Sequence, residues 1–201
     1  MTREPRIPSV TPLGAVGPYL LEEELPKRRE VFEYLARQRV PGGFERLCTL
    51  KIAKRSSDAR GAESLAREAK VMARLDHPNI VRMHDFFDHD GDRVLVLERF
   101  SGLSLERLLA RLTSGGARVD DRITWHVALS LFDALAHAHG LVDQDGQPAP
   151  VLHRDVRPAN VLVASDGRVR LTGFSFARDV DLDESTAVAA VYRAPSYVAP
   201  E

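Results

Sequence analysis

The sequence predicts an α+β fold in two lobes: a strand-rich N-lobe carrying one helix, then a mainly helical C-lobe. Three observations predict it. Strand-like runs separated by turn signals fill the region from Tyr19 to Ala53. One amphipathic helical pattern interrupts the strands at Gly61–Leu75. Two more helical patterns follow Phe100, and the second leads into a polar hairpin. The join falls near Phe100–Leu103. The expected organisation is a flexible leader over 1–18, an N-lobe over 19–100 and a C-lobe over 101–201.

Each element has a local cause. Residues 1–18 hold Pro5, Pro8, Pro12, Gly14, Gly17 and Pro18 without periodicity, hence the leader. Polar turns at Pro26–Glu30 and Pro41-Gly42-Gly43 divide the first strands, and Arg46–Ala53 reads as a strand. In Gly61–Leu75 the residues Leu65, Ala69, Met72 and Leu75 share one helix face, and Pro78 stops the pattern. Strands are expected over Ile80–Asp88 and Arg93–Phe100, joined at Asp90-Gly91. A helix fits Leu103–Leu112, followed by a loop at Thr113–Gly116. A longer helix fits Asp121–His139, with Ile123, Val127, Leu131, Leu135 and Ala138 on one face. Asp120 or Asp121 is its N-cap and Gly140 its stop. Asp143–Pro150 is a polar loop. Val161–Ala164 and Arg168–Thr172 form a hairpin about Asp166-Gly167. Gly173–Glu201 has no clear period.

Composition removes several classes of function. In 201 residues, 28 Lys+Arg face 29 Asp+Glu, a net charge of -1. That balance creates no basic field, so nucleic acid is not the expected partner. Hydrophobic residues are 44% and charged ones 28%, which excludes a wholly disordered, collagenous or coiled-coil chain. No apolar run approaches the ~18–20 residues of a membrane helix. Residues 1–18 lack the apolar core of a secretory signal. One cysteine, Cys48, allows no intrachain disulfide and no cysteine-rich metal site. The expectation is a soluble cytoplasmic protein. The seven histidines form no metal set, because His137 and His139 point apart on a helix. Trp125 is expected to pack within the long helix.

The chemistry concentrates in His153-Arg154-Asp155-Val156-Arg157-Pro158-Ala159-Asn160. This resembles the protein-kinase catalytic loop H-R-D-x-K-x-x-N. A carboxylate there meets a substrate hydroxyl, and an amide oxygen five residues on reaches a metal ion. Further motifs arrive in the family's order: Cys48-Thr49-Leu50-Lys51 resembles V-A-I-K, and Glu68 occupies the position of the helix glutamate that pairs with that lysine. Leu75-Asp76-His77-Pro78-Asn79-Ile80-Val81 resembles the L-x-H-P-N-I-V linker, with His77 a turn residue. Val96–Phe100 resembles the hinge, with Gly102, Ser104 and Leu105 resembling the G-x-S-L beyond it, and Tyr197-Val198-Ala199-Pro200-Glu201 resembles Y-M-A-P-E. Taken singly, Lys51 also reads as a strand-edge surface lysine and Glu68 as a solvated glutamate beside Arg67. Together the motifs identify the chain as resembling eukaryotic-like (Hanks-type) Ser/Thr protein kinases, of the bacterial kind, over Tyr19–Glu201.

The resemblance implies a bilobal protein-kinase-like fold and a division of roles. Asp155 and Arg157 are the catalytic candidates, with Arg157 in place of the usual lysine. Lys51, Glu68, Glu98, Phe100 and Asn160 are the candidates for binding ATP: Lys51 on the phosphates, and the backbone of Glu98 and Phe100 beside adenine, behind Leu97 as gatekeeper. Asn160 is also the remaining candidate ligand for Mg2+. A protein substrate or a regulated partner protein completes the implied set.

Four departures qualify it. Eighteen residues after Asp155, where D-F-G belongs, the chain reads Gly173-Phe174-Ser175. Gly173 thus replaces the aspartate that holds the metal. Removing one such preorganised electrostatic element costs ~10²–10³ in rate. The Gly-rich loop is replaced by Glu24–Phe32, where Pro26 lacks an amide donor and Lys27, Arg28 and Arg29 supply positive charge. Arg193-Ala194 replaces the family's G-T. Last, the family continues past Glu201, so the chain reads as a member truncated after A-P-E, with apolar surface of Asp121–His139 left exposed. The expected function is a pseudokinase that retains an ATP pocket. The alternative is a weakly active Ser/Thr kinase that moves the γ-phosphate of ATP to a protein hydroxyl.

Overall fold

The computed structural model of the protein describes residues 13–28, 31–55 and 59–179. In chain order these form β1 (Gly14–Val16), β2 (Tyr19–Arg28), β3 (Val31–Val40), β4 (Phe44–Ala53), α1 (Ala59–Met72), β5 (Met83–His89), β6 (Asp92–Glu98), β7 (Leu103–Ser104), α2 (Leu105–Ser114), α3 (Asp121–His139), β8 (Val151–Leu152), β9 (Val161–Val163), β10 (Val169–Leu171) and β11 (Arg178–Asp179). Short 3-10 turns occupy Pro158–Asn160 and Phe174–Phe176. The family's α+β architecture of a curled sheet with a few helices is present. No described helix is long and apolar enough to cross a membrane.

The chain divides into two compact units: residues through Ala62 with His84–Arg99, and Glu63–Met83 with Phe100 onward. The first holds the large sheet, in order β1-β2-β3-β4-β6-β5. Alternation along its strands sends Tyr19, Leu21, Tyr34, Ala36, Cys48, Leu50, Ile52, Val94 and Val96 into one apolar cluster. Asp90-Gly91 closes the β5–β6 hairpin with φ of 52° and 86°, the paired positive values such a turn demands. β5 begins only at Met83, not at the expected Ile80, because the backbone of Asn79–Val81 bonds β10 instead.

Two differences from expectation occur at the start of the sheet. The leader assigned to 1–18 gives way at Gly14 to β1, which pairs with β2 from Gly14↔Leu21 to Val16↔Tyr19. Gly17, at φ 55°, makes the reversal possible. Residues 1–12 lie outside the described residues. Pro26 sits inside β2 and not in a turn. β2 pairs with β3 across it, and the register shifts between Leu25 and Arg28. β1 covers only the first residues of β2. Proline, lacking an N–H, is tolerated at such an irregular, edge-like position.

The second unit contains Glu63–Met72 of α1. Leu65, Ala69, Met72 and Leu75 are all buried, the face the spacing predicted. Val81 N–H donates to Leu171 O (2.9 Å) and Leu171 N–H to Asn79 O (2.7 Å), so the segment after α1 is tied to β10 immediately before the site. His77 acts as a turn residue, its Nδ1 accepting the Asn79 N–H at 3.1 Å. Leu103–Ser104 form β7, and α2 starts one residue later, capped by Ser104 Oγ accepting the Arg107 N–H at 3.3 Å.

α3 runs over Asp121–His139 as the pattern predicted, with Asp120 as N-cap (2.7 Å to Arg122 N–H) and Gly140 as C-cap. Val127 packs with Val161 and Val169, joined by Leu105, Leu131 and Val163. Two residues leave the expected arrangement. Ile123, assigned to the buried face, is exposed at the helix start. Trp125, expected to pack, is 65% exposed and shares an open stripe with Leu129 and Phe132. Steps of four and three place those three residues on one side of the helix, away from Val127 and Leu131.

Candidate active site

β4 carries Lys51 near its C-terminal end, paired on both sides, opposite Glu33 of β3 and Leu95 of β6. It is buried, so the strand-edge surface reading fails. Period-two alternation puts Lys51 on the face opposite Leu50 and Ile52, which belong to the apolar cluster. Cys48, where V-A-I-K has valine, is a buried hydrophobe. Burial pushes its thiol up to about 11, which removes thiolate reactivity at neutral pH. Leu97 is buried, and Glu98 closes β6 in register with Cys48. Phe100 belongs to the second unit, buried beneath the Arg168 guanidinium at 5.6 Å from its ring centroid.

The loop His153–Asn160 is set by two backbone features. Arg154 adopts φ 62°, a conformation that costs a non-glycine residue roughly 1–2 kcal/mol. The reversal lets the Asp155 N–H return to His153 Nδ1 at 3.2 Å. Pro158 then opens the 3-10 turn, where its missing N–H is no loss, and the turn delivers Asn160. Asn160 Nδ2 donates to Asp155 O at 2.9 Å and to Asp155 Oδ2 at 2.8 Å. Arg157 Nε donates to the same Oδ2 at 3.2 Å. Asp155, Arg157 and Asn160 therefore form one cluster, with both donors on one carboxylate oxygen. Arg157 approaches as a cation bound to its neighbour's carboxylate.

His153 is the buried centre of this arrangement. Its Nδ1 accepts from Asp155, so its Nε2 carries the proton and donates to Thr172 O at 3.0 Å. Burial lowers its basicity below the ordinary imidazole value, partly offset by the Thr172 carbonyl and by the charges of Asp155 and Glu68. Thr172 N–H in turn donates to Asn160 O at 2.9 Å. The D-F-G position is thus fastened to the catalytic loop from both sides of Thr172.

Gly173 follows at φ 86°. A Cβ there would meet Cγ and Oδ1 of Asn160 at 2.7 Å and Nδ2 at 2.9 Å. The Asn160 amide fills the space beside the position where the family places its metal-holding aspartate. Phe174 keeps its packing role, buried with its ring 4.5 Å from His153. Ser175 donates its hydroxyl to Glu68 Oε2 at 2.8 Å. Glu68, only 2% exposed, is a buried carboxylate and not the solvated residue of the surface reading. Sequence reasoning assigned no partner to Ser175. The signal was present, since a hydroxyl replaces glycine where a buried acid is expected nearby.

Magnesium favours octahedral oxygen ligation. The described residues do not fit it. Gly173 offers no carboxylate, and Asp155 Oδ2 already accepts two donors, Arg157 Nε and Asn160 Nδ2. Among the described residues, no group of three or more His, Cys, Asp or Glu could hold a metal ion. The acidic residues Asp181 and Asp183, close to Gly173 in sequence, lie outside the described residues, as do Arg193-Ala194 and Tyr197–Glu201.

Comparison with known proteins identifies the family. The pattern of the protein kinase domain matches residues 43–201. The serine/threonine-protein kinase PkaA of Streptomyces coelicolor is 35% identical over 199 residues, covering 91% of this chain and 34% of that protein. The serine/threonine-protein kinase PknA of Mycobacterium tuberculosis is 32% identical over 157 residues, 73% of this chain and 32% of that protein. The tyrosine-protein kinase MasK of Myxococcus xanthus is 27% identical over 191 residues, 94% and 30%. The chain therefore spans about a third of the length of these relatives. With that pattern covering most of its length, the chain belongs to the protein kinase domain family.

Proposed function

We propose that this chain is a kinase-fold module that binds ATP and is impaired in phosphoryl transfer: a pseudokinase acting on or with a protein partner. The observation that carries the reading is at Gly173. The metal-holding carboxylate is missing there, and the Asn160 amide lies within 2.7 Å of where its Cβ would be. Transfer of a phosphoryl group relies almost wholly on positioning and on neutralising charge, which the family does with metal ions. Nucleotide binding asks less. In the family it uses the lysine of β4, and Lys51 is retained and buried.

A second reading, a weakly active Ser/Thr kinase, is favoured by one observation: Asp155 and Asn160 lie together, with Asn160 Nδ2 donating to Asp155 Oδ2 at 2.8 Å. It requires transfer that is lost on Asp155→Asn.

The deciding experiment is a thermal melt of the chain alone, with ATP, and with ATP plus Mg2+, for the wild type and Lys51→Ala. Binding at a hundredfold excess over Kd stabilises by about 2.7 kcal/mol. The expected result is a shift with ATP that Mg2+ does not enlarge and that Lys51→Ala removes. No shift with ATP would refute nucleotide binding. A large Mg2+ increment, followed by phosphate transfer abolished by Asp155→Asn, would replace the pseudokinase reading with the weak kinase.

A further inference from the structure

The D-F-G position of this chain has lost a carboxylate at its first residue and gained a hydroxyl at its third. The gain has a defined target. Ser175 Oγ lies 2.8 Å from Glu68 Oε2, across 107 residues of sequence. A buried carboxylate needs donors, since burial without them is costly. Glycine in this position has no side chain to offer one.

We infer that Ser175 is a positioning residue: its hydroxyl holds the Glu68 carboxylate and so fastens α1 to the Gly173–Phe176 turn without metal or nucleotide. The turn is itself immobilised. Phe174 is buried against the His153 ring, and His153 donates to Thr172 O. Thr172 N–H is bonded to Asn160, and Asn160 holds Asp155. The hydroxyl therefore joins α1 to a chain of fixed groups ending at the catalytic loop. Glu68 lies three and four residues from Leu65 and Met72, on the buried side of the helix. Holding its carboxylate holds the rotation of the helix. A metal-holding site couples helix position to ligand occupancy, whereas here the setting is built into the sequence.

The consequence for ATP rests on the nucleotide-binding reading above; the consequence for α1 does not. The test uses the full chain as wild type, Ser175→Ala, Ser175→Thr, Glu68→Met and Ser175→Ala/Glu68→Met. Two quantities are read: amide hydrogen exchange of residues 65–72 without nucleotide, and the Kd for ATP. A hydrogen bond to a charged group is worth about 1.5–3 kcal/mol, so a loss of about tenfold or more is expected in each. Ser175→Ala should speed α1 exchange and weaken ATP about tenfold. Ser175→Thr, which keeps the hydroxyl, should return both to within about twofold. In the Glu68→Met background Ser175→Ala should add nothing. Unchanged α1 exchange in Ser175→Ala overturns the inference, as does an equal loss in the Glu68→Met background. If the wild type binds no ATP, the nucleotide reading fails alone, and the exchange data still decide for or against Ser175.

Discussion

At Gly173 two constraints meet in one residue. The backbone is left-handed at φ 86°, and the Asn160 side chain stands where a Cβ would project. Either suffices to disfavour a side chain; together they make the site resistant to simple reversion. Gly173→Asp places back the carboxylate that the family uses, yet it must expel an amide that makes two hydrogen bonds to Asp155. The expected result is loss of stability with no gain in Mg2+ response. A double-mutant cycle separates strain from collision. Gly173→Ala should cost about 1–2 kcal/mol from backbone conformation alone, and more from the contact. Combined with Asn160→Ala, the contact disappears, so the pair should be less destabilised than the sum by roughly 0.5–3 kcal/mol. Additive effects, measured by denaturant unfolding, would show that the amide yields freely and that reversion is open.

Among the elements, α3 shows how far local sequence determines structure here. Its start is set by Asp120, whose carboxylate accepts the Arg122 N–H at 2.7 Å, and its end by Gly140. Asp120→Ala should cost ~1 kcal/mol, a fall in Tm of about 2–4 °C for a chain of this size. An unchanged Tm would mean that tertiary packing alone holds the first turn. Such ends are legible because capping is a matter of a few adjacent atoms. The face pattern of α1 was legible for the same reason, and so was the order H-R-D to Asn160, since fixed chemistry imposes fixed spacing. What escaped the sequence was non-local. β1 forms because Gly17 turns the chain back onto Tyr19, although a proline-rich segment precedes it. Pro26 reads as a turn signal but lies in a strand, at a shift of register that only the pairing with β3 reveals. The roles of Ser175 and Gly173 depend on Glu68 and Asn160, residues 107 and 13 positions away, and spacing alone does not bring them together.

For the whole molecule, burial is uneven in a way that can be measured with one fluorophore. Val127, Ala134 and Ala138 give α3 its buried side, while Trp125, Leu129 and Phe132 form an apolar stripe on the other. Three large apolar side chains in a row exceed the scattered exposure that any soluble surface carries. Trp125 is the single tryptophan of the chain, so its emission reports this stripe and nothing else. At 65% exposure its indole meets water over most of its surface. In dilute solution the native chain should therefore emit close to the wavelength of the unfolded chain, and iodide should quench it nearly as well as it quenches free indole. Leu129→Ala and Phe132→Ala should change neither quenching nor Tm by much, because side chains already in water leave no cavity behind. A strongly blue-shifted, protected emission would mean that the stripe is covered in the native chain, and the two alanine substitutions would then cost about 2–5 kcal/mol each. The outcome separates a helix that is stable on one packed face from one that needs both.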